Sequence, residues 1–167
     1  MYATNKTLLR PAFTRQLAMR LQHGECINLT APHGFGRRRT LQDLRSVFPP
    51  DMGILHIDMK CSADDFSATW VDLCTQARRT GTDFRHLGQL SAALAQQHAQ
   101  SLLILHNFDL LRNQPHDPLF DSALLPYLSA FSRQPRLSLL TVCERIYADW
   151  PLPCQHLPLP PLQSANT

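Results

Sequence analysis

Two glycines and the arginines behind them carry the strongest chemical signal in the sequence. They stand in Ala31-Pro32-His33-Gly34-Phe35-Gly36-Arg37-Arg38-Arg39, between a short apolar run and an amphipathic segment. A glycine turn that leads a strand into a helix offers backbone amides and the positive helix end to an anion. That is the chemistry of a phosphate-cradling loop. Set against Gly-x-x-x-x-Gly-Lys-Ser/Thr, the stretch keeps Gly34 and Gly36 and has Ala31 at the first glycine. Arg37 takes the lysine position, and Arg38 takes the hydroxyl position that would hold magnesium.

Two further segments end apolar runs with polar groups. In Leu102-Leu103-Ile104-Leu105-His106-Asn107-Phe108-Asp109, His106 stands where a metal-orienting carboxylate would be, and Asn107 replaces a following acid. Asp109 is the carboxylate left near that strand end. Leu139-Leu140-Thr141-Val142-Cys143-Glu144-Arg145 ends its apolar run in Cys143, Glu144 and Arg145. Each group also has a plain structural reading. Arg37, Arg38 and Arg39 are open to three: a solvated helix start, an anion or nucleic-acid contact, or a protein contact. A cationic run at a helix N-terminus opposes the helix dipole and calls for compensation from carboxylates, with Asp109 the internal candidate, or from water. His106 reads as a hydrogen-bonded strand-end histidine before it reads as a base. Asp109 can cap the following turn as readily as touch a nucleotide. Cys143 reads as a small buried residue, and Trp70 as core.

The elements that must position these groups alternate in type. Phe13, Leu17 and Leu21 give a helix over 11–22 with Pro11 in its first turn. Cys26-Ile27-Asn28-Leu29 predicts a strand. Leu41, Leu44, Val47 and Phe48 mark a helix that Pro49 and Pro50 stop. Ile54 to Ile57 is a second strand, followed by helices over 64–79 and 84–99. Leu102 to Leu105 is continuously apolar, as a strand covered on both faces should be. A helix over 120–131, a strand over 137–142 and a last apolar stretch over 155–159 complete the series. Strands alternating with helices predict an α/β domain with a mainly parallel sheet. The strands near Cys26 and Leu103 are expected beside the Gly34–Gly36 turn, because such loops lie at carboxyl strand ends.

The 167 residues fit one domain. With 44% hydrophobic and 17% charged residues a packed core is affordable and wholesale disorder is excluded. A net charge of +3, from fourteen arginines, two lysines and thirteen acids, does not by itself announce a nucleic-acid binder. No run is long enough for a membrane span, so no membrane insertion is expected. Five widely spaced cysteines without a Cys-x-x-Cys pair predict reduced, mostly buried thiols in a cytoplasmic protein. The eight histidines show no ligand spacing, so no metal is expected.

Through residues 24–44, 101–111 and 136–145 the chain resembles the P-loop NTPases of the AAA+ and related signal-transduction (STAND) ATPase type. The resemblance implies a three-layer P-loop NTPase-like α/β domain with a mainly parallel five-stranded sheet. It implies one domain over 1–167, with 1–23 as an N-terminal extension and helix, 24–162 as the core and 163–167 as a tail. The family's small helical lid is expected to be missing. The positions matching its nucleotide site are Ala31, Gly34, Gly36, Arg37, Arg38, His106, Asn107, Asp109 and Cys143. Phosphoryl transfer depends on metal-assisted charge neutralisation and a positioned water, and both metal-supporting positions are substituted. The expectation is a subunit with no catalytic residue and no cofactor, binding a protein partner through Arg37, Arg38 and Arg39. An ATPase of similar fold or a larger cytoplasmic assembly is the partner the resemblance implies. The alternatives are a sensor that binds ATP or ADP without magnesium, and a DNA-associated factor using the three arginines as a phosphate clamp.

Overall fold

Each apolar run becomes a strand. In the computed structural model these are β1 (Cys26–Thr30), β2 (Gly53–Asp58), β3 (Ser101–His106), β4 (Leu137–Cys143) and β5 (Gln155–Pro158). The structure describes residues 7–77, 87–131, 133, 134 and 136–162. The helices are α1 (Pro11–Gln22), α2 (Arg37–Val47), α3 (Met59–Ser62), α4 (Phe66–Gln76), α5 (Leu87–Gln97), α6 (Leu110–Asn113) and α7 (Leu125–Phe131). A π-helical turn, Phe120–Leu124, leads into α7.

All strands pair in parallel in the order β2-β3-β4-β1-β5. The five-stranded parallel sheet is therefore as expected. One detail differs. β1 runs straight into the glycine turn, but β4 lies between β1 and β3. Every position of β3 and β4 is buried, because both faces are covered. On one face Leu17 and Leu21 of α1 and Leu41 and Leu44 of α2 pack on Ile27, Leu29, Ile104 and Val142. On the other, Leu73, Leu90, Leu94 and Leu128 pack on Leu55, Leu103, Leu105 and Leu139. The period of two along each strand sends neighbours to opposite layers.

Three local expectations change. The helix over 120–131 is not uniform, because Pro126 has no N–H to close an α-turn at its start, and a wider turn precedes it. The helix over 64–79 begins only at Phe66, where Asp65 caps it by accepting from the Ala68 N–H at 3.0 Å. Residues 78, 79, 84–86 and the tail 163–167 lie outside the described residues. The cysteines differ most. Cys26 and Cys154 form a disulfide, while Cys61 is exposed, Cys74 half-buried and Cys143 buried as thiols. The parallel register pairs Ile27 with Gln155, so the preceding residues sit side by side with Cα atoms 4.7 Å apart. A separation of 128 residues hides that neighbourhood from any spacing argument.

The β2 edge is closed by a side chain. Gln76 of α4 accepts the His56 N–H at 2.7 Å and donates to the His56 carbonyl at 2.9 Å, as a neighbouring strand would. Replacing it should free the edge. Gln76→Ala is expected to cost about 1–2 kcal/mol in urea unfolding and to raise self-association seen by light scattering. An unchanged midpoint with no association would show that the amide does not guard the edge.

Candidate phosphate-loop site

The glycine turn has the backbone its sequence calls for. Ala31 is fully buried and its N–H donates to the Cys143 carbonyl at 2.9 Å, fixing the loop to the end of β4. Gly34 and Gly36 adopt φ of +86° and +81°, the left-handed region that glycine enters without strain. Gly36 caps α2 with no side-chain bond, and the first turn holds no acid. The first amides of α2 therefore have no intrahelical acceptor and face outward with the positive helix end.

The arginines divide into three roles. Arg37 is half-buried and donates to Nδ1 of His33 at 3.0 Å, and Nε2 of His33 lies 3.5 Å from Glu144. Arg38 is exposed and makes no hydrogen bond or ion pair among the described residues. Arg39 is structural: it donates to Asp43 at 2.9 Å and to the Thr7 carbonyl at 2.5 Å. Asp43 also accepts the Leu9 N–H at 2.9 Å, so Arg39 helps hold the N-terminal segment on α2 and is not a free clamp.

His33, Arg37, Lys60, Asn107, Asp109 and Glu144 line one open cavity of about 340 Å³. The predicted Arg37, Asn107 and Asp109 thus meet, while His106 and Cys143 are buried behind the cavity. Among the described residues Asp109 forms no ion pair with the arginines, and its side chain does not cap the next turn. It is 6% exposed and accepts the Glu144 N–H at 3.1 Å, tying β4's exit to β3's. Asn107, at φ 57°, donates to Asp58 at 2.7 Å. Burial works against ionisation of Asp58, yet the Asn107 amide and the Lys60 N–H hold its carboxyl below the usual carboxylate range.

His106 is not the hydrogen-bonded histidine expected. Its Nδ1 is 3.9 Å from Asp58 and its buried Nε2 has no partner. Burial, with Arg37, His56 and Arg38 adding positive potential against Asp58, pushes its pKa down to about 4. Burial likewise raises the Cys143 thiol, which donates to Asn28 at 3.4 Å, so it is no ready nucleophile.

The largest surprise is Arg10. Its guanidinium is buried and donates to the Pro160 carbonyl at 2.6 Å, the Phe35 carbonyl at 2.7 Å and the Thr40 hydroxyl at 3.3 Å. Burial lowers its pKa. Nothing in its sequence context, an arginine before a helix-starting proline, points to this.

The loop geometry suits an oxyanion, whereas the surroundings do not suit the magnesium ion that accompanies nucleotide triphosphates in such folds. Arg38 puts a cation at the hydroxyl position, and a neutral, buried His106 brings no negative charge to the carboxylate position. Among the described residues no group of three or more His, Cys, Asp or Glu is arranged to hold a metal.

Sheet order and loop position define a P-loop NTPase-like fold. Its neighbours among solved structures include ORC and Cdc6 proteins. The Aeropyrum pernix ORC2 protein, solved in ADPNP–ADP complexes, matches with a TM-score of 0.61 at 16% identity over 92% of this chain. The chain spans 49% of that protein. Drosophila ORC bound to DNA matches with 0.60 at 16% identity, over 84% of this chain and 79% of its own. Rif2 in complex with the C-terminal domain of Rap1 matches with 0.53 at 11% identity, over 92% and 53%. No family model and no curated protein matches the chain. At these identities the likeness is one of fold.

Two stability measurements test this geometry. An alanine at Gly34 or Gly36 must take a left-handed backbone, costing about 1–2 kcal/mol. At Gly36 its Cβ would also come within 2.9 Å of Leu9 Cδ2, whereas at Gly34 nothing lies within 4 Å. Gly36→Ala should therefore lower the urea midpoint more than Gly34→Ala; the reverse order would contradict the loop's packing. For His106, the native pKa of about 4 lies below the ordinary 6.5, so the unfolded chain takes up the proton first as pH falls. Stability should be full above 6.5 and decline by about 3 kcal/mol between there and 4, a slope that His106→Gln removes.

Proposed function

We propose that this chain is an AAA+-like domain that does not hydrolyse nucleotide and serves as a protein-binding or scaffold subunit of a larger assembly. The observation that carries the reading is the pairing at the loop edge. Arg38 stands at the position of a metal-supporting hydroxyl as an exposed cation without an ion pair among the described residues, and Phe35 of the same loop is 37% exposed. Arginine and aromatic side chains are the usual anchors of protein interfaces. An exposed guanidinium fits an acidic group on the partner, and an ATPase of similar fold is the partner this reading favours. Rif2, a fold neighbour solved with the C-terminal domain of Rap1, supports a binding role for such a frame.

A second reading, binding of ATP or ADP without magnesium, is favoured by the left-handed Gly34 and Gly36 and the uncapped start of α2. Drosophila ORC, solved bound to DNA, supports a third in which Arg37 and Arg38 meet phosphates. Titration with either nucleotide in the presence of a chelator isolates the second, and a salt-dependent DNA affinity isolates the third.

The test of the main reading is paired. Arg38→Ala should leave the melting temperature nearly unchanged and weaken co-purification with the partner from the native host. No hydrolysis above background is expected with ATP and magnesium. A melting temperature that falls while partner capture is unchanged would make Arg38 structural. Turnover of about 1–100 s⁻¹, the range typical of kinases, would overturn the loss of activity.

A further inference from the structure

The disulfide and the glycine loop are joined by a continuous set of bonds. Cys154 immediately precedes β5, an edge strand of four residues paired only with β1. β5 is four residues long and mostly exposed, so its hold on the sheet is one short ladder. The Leu159 N–H donates to Thr30 at 2.8 Å, and the next residue, Pro160, accepts Arg10 Nε. The same guanidinium holds the Phe35 carbonyl and the Thr40 hydroxyl, and that hydroxyl donates to the Gly36 carbonyl at 2.9 Å. Three links thus lead from Cys154 to the loop: the strand, the guanidinium and the first turn of α2.

We propose that Cys26 and Cys154 are a reversible thiol–disulfide switch that sets the order of the 32–36 loop. Both residues are half-buried, which leaves the bond within reach of small thiols. A low-molecular-weight thiol, as thiolate, attacks one sulfur and releases the other as a cysteine thiolate, giving a mixed disulfide. A second such thiol displaces the first, so two cysteine thiols form and the reductant leaves as its own disulfide. Two electrons and two protons pass to the protein. The reduced pair is the state the cysteine spacing suggests, and the oxidised pair is the state seen here. When the bond opens, β5 keeps its short ladder, the Leu159 N–H on Thr30, the buried Leu159 side chain and ties such as His156 to Asn28 at 3.0 Å, but loses its one covalent hold. Pro160 then gains freedom, and Arg10 loses the fixed acceptor that orients it toward Phe35. The oxidised protein presents a set loop; the reduced one presents a loose loop. This rests on the loop as working surface, but its readout needs no partner, so the two ideas fail separately.

The experiment uses the whole chain, purified without reductant, then treated with a thiol reductant and reoxidised. Thiol alkylation and peptide mass mapping should find Cys26 joined to Cys154, with Cys61, Cys74 and Cys143 recovered as thiols. Amide hydrogen exchange should then rise several-fold over 32–41 on reduction, stay constant over β2 and β3, and return on reoxidation. The double variant Cys26→Ser with Cys154→Ser should exchange like the reduced protein under either condition. If it fails to fold, reduced wild type gives the same comparison. Thiols that never pair under oxidised glutathione would overturn the proposal. So would a bond that resists reductant, or reduction that loosens β5 while the loop stays protected.

Discussion

A buried arginine that meets only neutral oxygens governs how this molecule holds together. Arg10 makes no ion pair among the described residues, and each of its bonds reaches a different part of the chain: the turn at Phe35, the helix at Thr40 and the exit of the sheet at Pro160. A desolvated guanidinium tolerates burial only when its donors are satisfied, so these segments cannot move independently without exposing or orphaning the charge. Asp43 adds a second tie, with one oxygen on Leu9 and the other on Arg39. The N-terminal segment is thus part of the loop's foundation.

That foundation sets the shape of the loop. The backbone of 31–36 is set by Ala31 on β4, by two left-handed glycines and by Arg10, none of which depends on a lysine, a hydroxyl or a metal. Charge around it has been redistributed rather than balanced. Arg37 is drawn to His33, which in turn lies beside Glu144; Asp109 is turned to a backbone amide, and Arg38 is exposed. The result is a surface on which Arg38 stands without an ion pair among the described residues, beside a cavity lined by Lys60, Asp109 and Glu144.

Much of the frame could be read from residues alone. The four-residue apolar run Leu102 to Leu105 and the spacing of Leu17 with Leu21 gave their elements directly, because burial on a strand or helix face imposes those periods. The loop was legible because Gly36 must enter a conformation other residues resist. What was hidden depends on pairing between distant segments. Cys26 meets Cys154 only through the β1–β5 register, and Asp58 meets Asn107 only because β2 lies beside β3. Asp58 closed an apolar alternation and could have been flagged as a strand-end acid facing the same edge as His106. Arg10 had no comparable sign, since its acceptors lie 25, 30 and 150 residues away.

The place of β1 in the sheet has a consequence for how the chain reaches this structure. β1 is made early, yet it pairs only with β4 and β5, and Cys26 faces Leu139. Its hydrogen-bonding edges and its buried Ile27 and Leu29 must therefore wait for most of the chain to be synthesised. Closing so long a loop delays the central pairing, and parallel sheets with distant partners fold slowly for this reason. During that interval β2 and β3, joined through α3, α4 and α5, are the pair that can assemble first, with α1 and α2 held as loosely packed helices. The glycine turn, flanked by β1 and α2, is then among the last features to acquire its native form.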